Sequence, residues 1–386
     1  MIEGEKMERI YLDHAATSPM HPKVMETMME VMNSTFGNPS SIHSFGREAR
    51  NQIDTARETL AHSIGAKEQE IIFTSGGTEA DNMALFGVAE GYQTKGKHII
   101  TTQIEHHAVL HACQKLEKVG YEVTYLPVDE TGLISLDDFK EALRSDTILV
   151  SIMYGNNEVG TLQPITEIGE ILKSHQAVFH TDAVQAYGVE KIDVNASSID
   201  LLSVSAHKIN GPKGIGFLFA RESVKIMPRS FGGDQERKRR AGTENVASIA
   251  AFRAAAKIAM DERSAKREKF LQFKEIFMQI LLEQNVQFDL NGKLENSMPH
   301  VLNLSFPGTN VEAMLVNLDL AGIAVSSGSA CTAGSVEPSH VLVAMFGKRS
   351  ERLINSIRFS FGFTTTKEQI VKAAEETARI VLRLKK

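Results

Sequence analysis

Cysteine is scarce in this chain: Cys113 and Cys331 are the only two among 386 residues, and they stand far apart. Such a pair builds no disulfide scaffold and fits a reducing compartment, so a cytoplasmic protein is expected. Long apolar runs are missing as well. Nothing approaches the roughly 18 consecutive apolar residues of a membrane span. The opening stretch, MIEGEKMERIYLD, mixes charges with no apolar centre, so it does not read as a secretory signal, and Met7 is an alternative start. Basic charge is not in excess either: 42 Lys and Arg face 48 Asp and Glu, a net charge of −6, with a pI of about 6.1. That balance argues against a broad nucleic-acid-binding surface. The local exception, Arg237-Lys238-Arg239-Arg240, reads as a solvated patch that suits an acidic partner. Proline is sparse, and there is no internal repeat or low-complexity tract.

What is present describes an ordinary globular chain, 42% hydrophobic and 23% charged, long enough for a large core and two domains. A turn cluster, FGNPSSIHS, precedes an amphipathic helix from Phe45 to Ile64. Strands are then expected at 70–74, 97–102, 122–128, 147–153, 177–181, 200–205 and 215–220. Helices at 79–90, 107–119, 135–144 and 165–174 alternate with them. This α/β alternation implies a mostly parallel seven-stranded sheet covered on both faces. Residues 244–285 contain neither Gly nor Pro and read as one or two long helices bridging to a smaller α/β domain. That domain takes strands near 300–306 and 356–361 and helices near 310–320 and 366–384. The expected division is a large domain over 18–260 and a small one made of 1–17 and 261–386.

The most informative stretch is LLSVSAHKINGPKGIG, residues 201–216. A short apolar strand breaks into Ala206-His207-Lys208 and then into a glycine-proline turn. A lysine at such a junction is held close to the interior, where burial lowers its pKa and makes it nucleophilic towards carbonyl carbon. Upstream, VFHTDAVQ is another apolar strand ending in an acid, Asp182. A strand-end acid with a strand-end lysine suits pyridoxal phosphate: the lysine forms a Schiff base and the acid pairs with the pyridinium nitrogen. Thr74-Ser75-Gly76-Gly77-Thr78-Glu79 follows a strand and opens a helix, aiming free N–H groups at an anion. His107 and His111 sit at i, i+4 near Cys113, but Cys113 points elsewhere on a helix, so no metal site is expected. Cys331 lies among Ser, Gly, Ala and Thr, which predicts an accessible, mobile loop and a reactive thiol.

HxDAxQ followed by SAHKxxGPKGxG resembles the fold-type I, class V pyridoxal phosphate enzymes. Ser326-Ser327-Gly328-Ser329-Ala330-Cys331-Thr332 is similar to the group I (NifS/IscS-like) cysteine desulfurases, and the resemblance runs from Tyr11-Leu12-Asp13 to about Ser360. It implies that Gly77, Thr78, Ser205 and His207 hold the cofactor phosphate, and that Thr243 does so from the neighbouring subunit of an obligatory homodimer. It also implies that His106 stacks on the ring and moves protons, that Gln185 bonds the ring oxygen, and that Asn157 lies near cofactor and substrate. Arg358 is then the clamp for the substrate carboxylate. Cys331 takes sulfur from L-cysteine as a persulfide, alanine leaves, and the sulfur passes to an iron-sulfur scaffold or a tRNA-thiolating enzyme. The enzymatic alternative, a class V aminotransferase or selenocysteine lyase, is disfavoured because an aminotransferase does not need the Cys331 loop; a silent scaffold is disfavoured by the intact Lys208, Asp182, His106 and Cys331. Two departures leave the acceptor open. The chain ends at Arg383-Leu384-Lys385-Lys386 without a longer tail, and Ala333 stands where other members have serine.

Overall fold

In the computed structural model the described residues are 9–327, 331–332, 335–336 and 338–385, with side chains described outside 328–337. The chain leads in through a short strand, β1 (Ile10–Tyr11), and two helices, α1 (Pro22–Ser34) and α2 (Ser44–His62). Pro22 opens α1 where a missing N–H does no harm, and the His21 side chain accepts the Lys23 N–H as a cap. Sequence periodicity does not find α1, because Met25, Met29 and Met32 lie on its exposed side and only Val24 and Val31 are buried.

The central sheet then forms from β2 (Ile71–Thr74), β3 (His98–Thr102), β4 (Glu122–Leu126), β5 (Thr147–Ser151), β6 (Val178–Asp182), β7 (Leu201–Ser205) and β8 (Gly216–Ala220). Its order is β2-β8-β7-β6-β5-β3-β4. Every pairing from β7 across to β4 is parallel, and β8 runs antiparallel to both of its neighbours. All of these strands except β4 are buried along their whole length, which explains their continuous apolar runs. Helices α3 (Gly77–Tyr92), α4 (His107–Glu117), α5 (Leu136–Ala142) and α6 (Ile165–Leu172) lie between them in sequence. Successive side chains point to opposite faces: Leu202 and Val204 enter one core with Ile53 and Phe252, whereas Leu201 enters another with Val88 and Val109.

A single helix, α7 (Val246–Glu283), links the sheet to a second core. Its first half, from Val246 to Ala259, packs with the sheet; its second half, from Phe270 to Leu281, packs with Ile10, Leu12, Phe306 and Phe359. Here β9 (Asp289–Leu290), β10 (Val301–Ser305) and, further on, β14 (Ser356–Ser360) make an antiparallel sheet of order β14-β10-β9. Around it come α8 (Val311–Leu320), β11 (Ile323–Ala324), which pairs with β1, the hairpin β12 (Cys331–Thr332) and β13 (Ser335–Val336), α9 (His340–Phe346) and α10 (Lys367–Leu384). The short α9 is absent from the sequence reading; Ser339 caps it by accepting the Leu342 N–H.

Candidate active site

The parallel strands all end on the same side of the sheet, where open α/β sheets bind their ligands. Around those ends lies a cavity of about 390 Å³, bordered by Gly77, Thr78, His106, Asn157, Asp182, Gln185, Ser205, His207, Lys208 and Arg358. The anticipated residues of this chain thus converge, with two exceptions. Thr243 lies in a separate depression with Phe73, Ser75, Glu236 and Arg240. The Cys331 side chain lies outside the described residues, although its backbone forms β12.

Local backbone explains the placements. Gly76 has φ of +148°, a value that favours glycine. A Cβ on Gly77 would meet Val184 Cγ2 at 2.7 Å. The start of α3 therefore opens its N–H groups to the cavity with no side chain at Gly77 to block them. Lys208 sits in a tight turn, Ala206–Ile209, directly after β7, and Asn210 closes it in the left-handed conformation. Its ammonium donates to the carbonyls of Ala15 and of Ala16, the latter at 2.8 Å. Burial and the positive charge of Arg358 pull the Lys208 pKa down to about 8, while Asp182 and Asp13 oppose that shift.

Asp182 ends β6, is buried, and accepts the Val184 N–H at 2.9 Å. Burial pushes its pKa up, against the pull of His106 and Lys208. His106 caps α4: its Nδ1 accepts the Ala108 N–H at 3.1 Å, so the neutral ring carries its proton on Nε2. Burial lowers its pKa, against Asp182. His207, with Nδ1 at 3.0 Å from the Thr17 hydroxyl, is brought down to about 4 by burial and by Lys208. Arg358 is buried, not the edge-strand surface charge that its alternating sequence allows, because Asp13 and Ser326 cover the free edge of β14. These residues fit pyridoxal phosphate: an anion cradle, an acid for a pyridine nitrogen and a nucleophilic amine share one cavity.

Several contributors carry no sequence signal. Ala15 and Ala16 act through backbone carbonyls, and Gln185 Nε2 donates to the same Ala15 carbonyl at 2.8 Å. Asp81 borders the cavity beside Asp182, and burial and the Asp182 charge push its pKa well up. Asp81, His106 and Asp182 bring ligand atoms within 4.8 Å of one another, the one such trio among the described residues. His107, His111 and Cys113 form no such group there, and Cys113 is buried. Both feet of the Cys331 loop stand on site residues or their chain neighbours. Ser326 pairs with the Arg358 backbone, Ser339 donates to Glu158 beside Asn157, and His340 Nε2 donates to the Glu105 carbonyl at 2.8 Å.

Residues 10–372 match the aminotransferase class-V family model, and the chain belongs to that family of pyridoxal phosphate-dependent enzymes. Similar chains narrow the chemistry. The chain is 63% identical over 378 residues to the IscS 1 protein of Bacillus subtilis (strain 168), covering 98% of this chain and all of that one. It is 49% identical over 376 residues to the cysteine desulfurase IscS of Dictyoglomus turgidum, covering 97% and 95%. A solved NifS-like protein superposes with a TM-score of 0.91 at 35% identity, covering 97% of this chain and all of the other. The activity is that of a cysteine desulfurase, which removes sulfur from L-cysteine with pyridoxal phosphate.

Proposed function

We propose that this desulfurase acts as a homodimer with shared sites, in which each residue bordering the cavity has a defined task. Gly77, Thr78, Ser205 and His207 hold the cofactor phosphate, joined by Thr243 from the other subunit. With the cofactor bound, Asp182 would pair with its pyridine nitrogen, Gln185 would bond its ring oxygen, and His106 would stack on the ring. Pyridoxal phosphate, when bound, supplies the electron sink that makes the substrate Cα–H acidic and the C–S bond labile.

Around that group the chain's own residues bind, orient and move protons. Arg358 and Asn157 orient L-cysteine through its carboxylate. Lys208, with its amine poised near pH 8, takes the Cα proton, and His106 handles a second proton through Nε2. The Cys331 thiolate attacks the substrate sulfur: an S–S bond forms, the C–S bond breaks, its electron pair stays with carbon, one proton adds at Cβ, and the proton taken by Lys208 returns to Cα to complete alanine. The persulfide then passes to a protein acceptor. We favour iron-sulfur cluster assembly, in keeping with the IscS name of the relatives, over tRNA thiolation; trapping the proteins that take labelled sulfur separates the two. Two distant cysteines suit a cytoplasmic setting, and no described helix is long and apolar enough to cross a membrane. The two cores joined by α7 support a large domain over 18–260 and a small one made of 1–17 and 261–386.

The observation that carries the shared site is the position of Thr243, away from the cavity bordered by every other anticipated cofactor ligand. Subunit exchange tests it. Lys208→Ala and Thr243→Ala proteins, each nearly inactive, should regain activity when mixed, because one site of the hybrid then has both residues. Absence of recovery in hybrids verified by mass would contradict sharing.

A further inference from the structure

The segment from Asp13 to Ser18 runs along the site. Its carbonyls at Ala15 and Ala16 take the Lys208 ammonium, and Thr17 meets His207. At its start, Asp13 Oδ1 accepts from Arg358 Nη2 at 2.8 Å, while Arg358 Nη1 donates to the Asn157 carbonyl at 3.0 Å. A guanidinium presents its N–H bonds in one rigid plane, so one fixed bond at each terminal nitrogen sets that plane. The Arg358 Nε is buried and has no hydrogen-bond partner among the described residues, so among them those two contacts set the orientation. Arg358 borders the cavity; Asp13 lies outside its wall. Their side chains are 4% and 21% exposed, so little water competes for the pair.

We propose that Asp13 is a positioning residue whose carboxylate fixes the plane of the Arg358 guanidinium, leaving the remaining N–H bonds to meet the α-carboxylate of the substrate. The proposal rests on the reading of Arg358 as the carboxylate clamp. It identifies the ligand class as an amino acid with a free α-carboxylate. Without Asp13, the guanidinium can turn towards other carbonyls. Asparagine at this position keeps an acceptor oxygen in the same place and so retains most of the orientation.

The test compares L-cysteine with L-cysteine methyl ester on the holoenzyme, because the ester lacks the group that the clamp holds. Asp13→Ala should raise KM for cysteine about tenfold or more, keep kcat within about threefold, and leave KM for the ester nearly unchanged. Asp13→Asn should stay within about threefold of wild type for both substrates. The dissociation constant of L-alanine, measured by calorimetry, should rise in Asp13→Ala in parallel with the cysteine KM. If Asp13→Ala fails to fold, Asp13→Ser, which stays polar but lacks the reach, should give the same split. Equal losses on cysteine and ester, or no loss on cysteine, overturn the proposal. Arg358→Lys is the control: a cysteine KM that it leaves unchanged refutes the clamp itself, whereas loss there without loss at Asp13 refutes only the role of Asp13.

Discussion

Arg57 and Glu236 are joined by two parallel N–H···O bonds of 2.8 and 2.7 Å, and both residues are buried. The same Glu236 carboxylate accepts the Phe73 N–H at 3.0 Å, and Arg57 also donates to the Ile71 carbonyl at 2.6 Å. Glu236, Arg237 and Lys238 all have positive φ, a conformation that non-glycine residues adopt only when their surroundings hold it. The buried pair therefore pins an unfavourable turn to β2. Just beyond that turn, Arg240 braces Glu79 at the first turn of α3, and Thr243 follows.

Arg57→Ala leaves the Glu236 carboxylate buried without its partner, and breaking a buried pair in this way costs about 3–5 kcal/mol. The holoenzyme should melt at a clearly lower temperature and hold its cofactor less tightly. Replacing both partners with apolar residues, Arg57→Met with Glu236→Leu, should recover much of the stability. A loss of less than about 1 kcal/mol in Arg57→Ala would place the pair among weak surface contacts.

The proposed assignment makes cofactor attachment depend on the free amine of Lys208, whose pKa lies near 8 because burial and Arg358 disfavour its charge. Below that pH the amine is protonated and unreactive; above it the rate levels off. Stopped-flow mixing of cofactor-free protein with pyridoxal phosphate should give a rate that rises about tenfold per pH unit and then flattens near pH 8. Arg358→Gln removes a cation from beside the amine and should move the bend to higher pH. A bend that stays in place contradicts the assigned cause, and Lys208→Ala should develop no yellow absorbance at any pH.

Asp182→Asn should keep the fold and the Val184 contact yet lose the anion that stabilises a protonated pyridine. Exchange of the alanine Cα proton with deuterium oxide, followed by NMR, should slow by roughly 10²-fold or more. A rate within a few-fold of wild type would remove Asp182 from its role.

Most of the site was legible because its side chains sit at strand ends, where an apolar run stops abruptly at a polar residue, as at Asp182 and Lys208. The long α7 was legible because it lacks Gly and Pro. What escaped has a physical reason in each case. Ala15 and Ala16 contribute carbonyls, which no side-chain pattern reveals. The apolar side of α1 faces outwards through its methionines, so its periodicity does not mark a buried face. Asp81 sits mid-helix and becomes notable only because the fold buries it beside Asp182. The Asp13–Arg358 pair joins the two ends of the chain, a proximity that local sequence does not encode.

The central claim is that sulfur leaves L-cysteine on Cys331, and Cys331→Ser tests it most directly. Serine keeps the shape but replaces a thiolate with a hydroxyl that is a far weaker nucleophile near neutral pH. Cys113→Ser is the comparison, because Cys113 is buried and its thiol pKa is pushed up by that burial. Each holoenzyme is mixed with L-cysteine, alanine is counted, and the persulfide is mapped by mass spectrometry. The predicted result is that Cys331→Ser binds cofactor and cysteine but makes almost no alanine and no persulfide, while Cys113→Ser turns over nearly as wild type with the persulfide on Cys331. Undiminished alanine and sulfur transfer in Cys331→Ser, or a persulfide on Cys113, would contradict it.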